Sequence, residues 1–148
     1  MPEGDLSIEE YRALAEFRYQ IRSFLHFSEE QVRAHGLEPQ QQQLLLAIKG
    51  LPDGAVPTVG ELAGRLLLKH HSVVELIDRL EKRGYVVRTT SAQDRRQVIV
   101  HLTPAGTSVL RKLSLAHHAE LETAGPELAK ALRSIARQHR TRRRRNAA

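Results

Sequence analysis

The sequence predicts a mainly α fold that carries one small β-hairpin. Three observations predict it. Apolar residues recur at helical spacing along most of the 148 residues. The pattern becomes β-rich only at Tyr85–Thr90 and Gln97–Leu102, with the polar stretch Ser91–Arg96 between them. Breaks at Gly36, Gly50–Gly54, Gly84 and Thr103-Pro104 cut the helical pattern into pieces.

The first element is long. Leu6, Tyr11, Leu14, Phe17, Ile21, Phe24, Leu25 and Val32 fall near a 3.6-residue period, so one helix is expected over 6–34. Ser7 and Glu10 have capping-box spacing at its start, and Gly36 ends it. Such a helix exceeds what a small domain needs, so much of its apolar face is expected to meet another element or another chain. Pro39 opens a second helix to about Lys49, with Leu44, Leu45 and Ile48 inward. Its run Gln40–Gln43 is good helix-forming sequence. Thr58-Val-Gly-Glu61 fits the Ser/Thr-x-x-Glu box and starts a third helix to about Leu67.

A turn around Leu68–His70 leads into a fourth helix over 71–83. Its inward face is Val73 or Val74, Ile77 and Leu80, and Gly84 stands where a terminating glycine belongs. The hairpin occupies 85–102. Thr103 as cap and Pro104 at the first helical position start a fifth helix to about Thr123. Gly125-Pro126 is expected to break it, and a sixth helix to run from Glu127 to His139 on Leu128, Leu132 and Ile135. Residues 139–148 have no apolar face and are expected to be a basic, disordered tail. The expected organisation is therefore one domain over 1–138, with a central lobe over 39–103 flanked by the long helices 6–34 and 104–138.

Composition narrows the function. The absence of Cys excludes disulfides, thiolate metal sites, a Cys nucleophile and a thiol redox sensor. No run approaches 18 apolar residues, so no membrane partner is expected. The start MPEGDLSIEE lacks the apolar core of a secretory signal, and the cytoplasm is the expected compartment. Aromatics make up 4% with no Trp, which argues against base stacking on single strands. No Gly-rich phosphate loop, Gly-x-Ser-x-Gly elbow or His-Glu-x-x-His is present, so an enzyme is not expected.

The net charge of +6 is unevenly spread. Residues 1–48 carry four Arg against eight acids. Residues 49–112 carry eleven Lys and Arg against six acids, and 113–148 carry eight against three. Five of those eight are Arg140 and Arg142–Arg145, so the basic balance of the middle segment needs its own explanation.

That explanation lies in the order of elements. The third and fourth helices, with their short turn, have helix-turn-helix spacing. The second helix of such a pair enters the major groove. The hairpin after it is a wing, and Arg95 and Arg96 at its tip can reach a flanking minor groove, where A·T tracts hold negative potential. The fold class expected is thus a winged helix-turn-helix domain with long N- and C-terminal dimerisation helices. Two such lobes would read a two-fold site with half-sites about 34–36 Å apart.

Thr58-Val-Gly-Glu-Leu-Ala, His71-Ser-Val-Val-Glu-Leu-Ile-Asp-Arg-Leu-Glu-Lys-Arg-Gly84, Asp94-Arg-Arg96 and Val100-His-Leu-Thr-Pro-Ala-Gly106 resemble the MarR family of bacterial transcription regulators. The resemblance covers about 6–138, and it is the order and spacing of these pieces together that is specific. It implies a homodimer whose winged lobes bind a pseudo-palindrome, most often as a repressor, and a pocket for a small aromatic or phenolic anion. It also implies that Arg96 enters the minor groove while Asp94 holds the wing.

The candidate residues follow. At the start of the fourth helix, Lys69, His70, His71, Ser72, Glu75 and Arg79 are the candidate major-groove contacts, with Glu75 able to accept from cytosine N4. The plain alternatives are that Ser72 or His71 only caps the helix and that Glu75 only pairs with Arg79. Thr58 is a candidate phosphate donor, although capping alone explains it. Lys82 and Arg83 read as a solvated face. For the wing, Asp94, Arg95 and Arg96 stand against the alternative of a surface ion pair of little worth. Arg18 and His26 on the first helix are the candidate anion partners in an effector pocket, whereas Tyr11, Phe17 and Phe27 read first as core or interface. No cofactor or metal is expected. His70-His71 and His117-His118 are neighbours that diverge by about 100° on a helix, and the set His35, His117 and Glu120 lacks an i, i+4 His pair.

The partners expected are double-stranded DNA, a second copy of the chain and a small-molecule effector. The competing reading is a winged-helix module that binds protein or RNA and has no operator.

Overall fold

The computed structural model describes residues 4–148. The elements are α1 (Ile8–Ala34), α2 (Pro39–Lys49), α3 (Val59–Leu66), α4 (His70–Lys82), β1 (Val86–Thr90), β2 (Val98–Leu102) and α5 (Pro104–Ala147). The mainly α fold with a single hairpin is the one the sequence predicts. The chain divides into two compact units, residues 29–115 and residues 4–28 with 116–148.

The 29–115 unit is the winged lobe. Its core joins Val32 and Leu37 to Leu44 and Leu45 of α2, Leu62 of α3, Val73, Ile77 and Leu80 of α4, Val86 and Val100 of the hairpin, and Leu113 of α5. All are almost wholly removed from solvent, so the hydrophobic effect fixes how the short helices meet. The hairpin is antiparallel, with Val86 opposite Leu102 and Thr90 opposite Val98. The chain entering α3 joins it, because Thr58 bridges Ile99 and Val100 N donates to Pro57 O at 3.0 Å.

Local signals set the helix boundaries. Ser7 Oγ accepts from Glu10 N at 3.2 Å while Ser7 N donates to Glu10 Oε2 at 2.7 Å, a complete capping box. Thr58 Oγ1 accepts from Glu61 N at 3.2 Å, but the Glu61 carboxylate turns to Arg65 instead of closing the box. A box not foreseen opens α2, where Glu38 N donates to Gln41 Oε1 at 3.0 Å. Gly84 ends α4 with φ +77°, and Tyr85 N donates back to Leu80 O at 3.0 Å.

Two expectations for the C-terminal half are corrected. Gly125-Pro126 does not break the chain, and 139–147 is not a disordered tail; α5 runs unbroken from Pro104 to Ala147 with Pro126 inside it. Pro126 forfeits one main-chain hydrogen bond, and Ala131 beyond it is buried. Arginine is a good helix former, and extending an existing helix needs no new nucleus. The end is also tied down: Arg142 pairs with Glu10 at 3.4 Å and donates to Gly4 O. The main-chain bond from Ser7, helped by the Ser7 hydroxyl and by Arg142, holds the Glu10 carboxyl below its ordinary range.

In the same unit His117 is half-buried. Its Nε2 lies 3.1 Å from Ser28 Oγ, and its ring meets Phe24 edge-on at 6.3 Å. Burial lowers its pKa from the ordinary 6.5, although the bond to Ser28 opposes the shift. Below that value the unfolded chain binds the proton more readily than the folded one, so stability is lost as pH falls. Urea unfolding followed by circular dichroism should therefore show a midpoint that drops as pH falls through and below about 6.5. His117→Gln should remove part of that drop; a variant with the same pH dependence as the parent would contradict the assignment.

Candidate nucleic-acid interface

Helix α4 has two faces with different tasks. Val73, Leu76, Ile77 and Leu80 are buried in the lobe. His71, Glu75, Arg79 and Lys82, at i, i+4, i+8 and i+11, are exposed on the other side. Lys69 and His70 are exposed at its start, and Ser72 is half-buried. The helix begins one residue earlier than expected, with Lys69 at the cap position and no side-chain cap. Neither Ser72 nor His71 therefore caps it. Among the described residues no ion pair joins Glu75 to Arg79.

The wing tip is a built turn. Ser91, itself buried, accepts from Gln93 N at 3.3 Å and from Asp94 N at 3.4 Å, and Ser91 N donates to Gln97 O at 3.0 Å. Asp94 Oδ1 accepts from Arg96 N at 3.0 Å and from Arg96 Nε at 3.4 Å. The Arg96 side chain is nonetheless 93% exposed, and Arg95 is also exposed. Asp94 thus holds the loop through Arg96 N and also engages Arg96 Nε, while most of the Arg96 side chain stays in solvent. Thr58, Gly60, His70, Val74, Arg88, Arg96 and Gln97 are among the residues lining one shallow groove of about 410 Å³ between α3, α4 and the wing.

Several predicted site residues thus stand together on one lobe: Thr58 at the cap of α3, Lys69 to Arg79 along the outer side of α4, and Asp94 to Arg96 at the wing. Arg18 and His26 are exposed on α1, within the other unit. Arg83, read as a solvated face, is exposed and also has a structural task. It donates to Gly36 O, and its guanidinium lies 5.2 Å from the centre of the Tyr85 ring.

A sequence profile of the MarR family matches residues 35–97. The uncharacterized HTH-type transcriptional regulator YkoM of Bacillus subtilis is 31% identical over 116 residues, 76% of this chain and 73% of that protein. The chain belongs to the MarR family.

Solved structures agree on the fold of this MarR-family chain. AbsC, a MarR family transcriptional regulator from Streptomyces coelicolor, superposes with a TM-score of 0.71 at 24% identity, covering 93% of this chain and 99% of that one. FabT of Streptococcus pneumoniae, solved in complex with DNA, gives 0.67 at 22% identity over 88% and 96%.

Sequence reasoning missed one member of this MarR lobe. Arg88 on β1 donates to Asp78, lies 3.1 Å from Glu81 Oε1, and so bolts the wing to α4. The pairing raises the Arg88 pKa, and the Arg88 guanidinium lowers Glu81 below its ordinary 4.5. The bolt therefore holds above the usual carboxylate range and opens as pH falls through the lowered Glu81 value. Arg88→Gln should speed amide hydrogen exchange across β1 and β2. The urea midpoint should move little, because these carboxylates are part-exposed and screened. Unchanged exchange in the wing would remove the bolt from consideration.

Proposed function

We propose that this MarR-family transcriptional regulator is a dimer that binds a pseudo-palindromic DNA duplex sequence-specifically and is modulated by a small effector. One observation carries the reading. The exposed row His71, Glu75, Arg79 and Lys82 and the outward Arg96 occupy the same lobe, flanking a groove that Thr58 and His70 also line. A helix with such a polar outer face suits the major groove, where side chains meet base edges, while the wing arginine suits the minor groove. Thr58, Lys69 and the histidines then serve mainly as phosphate contacts that set register.

Dimerisation is supported by apolar surface. Ile8, Tyr11, Leu14, Tyr19 and Leu25 of α1 and Leu121 and Leu132 of α5 are all exposed in the single chain. Large exposed apolar area of this kind marks an interface. A bound dimer occupies the duplex and so obstructs other proteins there, which makes repression the expected mode. An anionic aromatic effector, with Arg18 and His26 as its ionic partners, would act by preferring one spacing of the two lobes. It can shift the equilibrium only by its differential affinity for the two states.

The test is fluorescence anisotropy on a duplex from upstream of the protein's own gene, with scrambled competitor and a salt titration. Competitor-resistant binding that weakens steeply with salt is expected. If neither that duplex nor any selected from a random pool binds selectively, the operator reading is lost and a protein or RNA partner takes its place.

A further inference from the structure

The continuity of α5 turns a set of arginines into a surface. Lys130, Arg133, Arg137, Arg140 and Arg144 recur at spacings of three, four, three and four along one unbroken helix. At about 100° per residue they share a sector roughly 80° wide, and at about 1.5 Å per residue they span about 21 Å. All five are exposed. Among the described residues none of them is ion-paired, in contrast to Arg142, which Glu10 neutralises. Arg143 and Arg145 add charge beside the row.

We propose that this row is a second, sequence-independent binding site for the phosphate backbone of duplex DNA, separate from the winged lobe. A linear array of guanidinium groups matches a linear polyanion, and the guanidinium fork pairs with phosphate oxygens in two-bonded geometry. Beyond Ile135 the only apolar residues are alanines, so that part of the row has no apolar face to enter a membrane and no aromatic or aliphatic anchor for a protein hot spot; Leu132, exposed earlier in the helix, lies about 120° from the middle of the row. Of the neighbouring acids, Glu127 precedes the row, Glu122 pairs with His118 at 3.5 Å, and Glu9, which with Asp5 lines a groove shared by Arg137 and Arg145, is paired with Arg12.

The experiment uses the full chain and a random-sequence duplex of about 30 base pairs, a length well beyond the roughly 21 Å row. Replacing Arg137, Arg140 and Arg144 together with Gln should lower the slope of log K against log salt by about 2–3, since each lost phosphate contact removes about 0.9. Affinity for any duplex should fall uniformly, and the ratio of operator to random binding should survive. Gln keeps helix propensity, and the matching triple Lys variant, which preserves charge, should retain the slope. Unchanged slope and affinity in the Gln variant would overturn the site. So would a Gln variant that loses binding to poly-glutamate while its duplex slope stays intact, which would indicate an acidic protein partner. The deciding slope and affinity are read on random duplex, so they are distinct from any failure to find an operator.

Discussion

Gly106→Ala is expected to destabilise the winged lobe by about 1–3 kcal/mol, the cost of overpacking a site that has no room. A Cβ there would overlap the carbonyl oxygen of Tyr85 and stand 3.0 Å from its carbonyl carbon and 3.2 Å from its Cα. These are main-chain atoms and cannot rotate aside. Tyr85 is itself fixed, since its N donates to Leu80 O at 3.0 Å and its carbonyl accepts from Thr103 N at 3.1 Å. Thr103 Oγ1 completes the knot, donating to Gly84 O at 2.5 Å and accepting from Gly106 N at 3.0 Å. Helix propensity alone would favour alanine by up to about 1 kcal/mol, so the clash reverses the usual sign. Gly64 of α3 is the control, because nothing lies within 4 Å of a Cβ built there. Gly64→Ala should be neutral or stabilising. Equal urea midpoints for Gly106→Ala and the parent would show that α5 does not approach the end of α4 this closely.

The same knot shows what a sequence can disclose. Thr103, Pro104 and Gly106 mark a helix start, and that start is where α5 begins. The bounds of α2 to α4 were legible for the same reason: Pro39, Thr58 and Gly84 act on their immediate neighbours, and local chemistry needs no tertiary knowledge. The wing was legible from its change of period, and Asp94 bonds to Arg96 as the family resemblance implies.

What was not legible depends on partners distant in sequence. Arg88 reads as an ordinary strand residue. Only the register that sets it opposite Val100 turns it toward Asp78 and Glu81. Ser91 reads as loop composition, yet it organises the wing turn by accepting two main-chain donors. Gly125-Pro126 is a strong break signal, yet α5 passes through it. The arginine-rich end lacks an apolar stripe, the usual sign of a packed helix, and is held by Arg142 bonding to Glu10 and Gly4. Of the predicted site, the wing and α4 residues share one lobe because neighbouring chain segments carry them. Arg18 and His26 rest on a pocket that no local signal in α1 defines.

Arg96→Ala is expected to weaken operator binding by about 1–3 kcal/mol, roughly fivefold to 150-fold, while leaving the fold intact. The structural half of this follows from the turn. The Arg96 side chain is 93% exposed, and the loop is held by Arg96 N bonding to Asp94 and by Ser91, both of which survive truncation to alanine. The functional half follows from the proposed minor-groove role. The loss should concentrate at A·T-rich flanks, where a narrow groove deepens the negative potential, and should shrink when those flanks are replaced by G·C. The salt slope should fall by about 1. Arg96→Lys separates charge from shape: it should keep the slope but lose part of the preference for the flanks, because an ammonium lacks the planar fork. Asp94→Ala tests the support. It removes the acceptor that fixes the loop, so affinity should fall although Asp94 itself carries the wrong sign to attract phosphate. Equal losses on A·T and G·C flanks would reduce Arg96 to a phosphate contact. An unchanged affinity for Arg96→Ala would remove the wing from recognition and leave α4 to carry it alone.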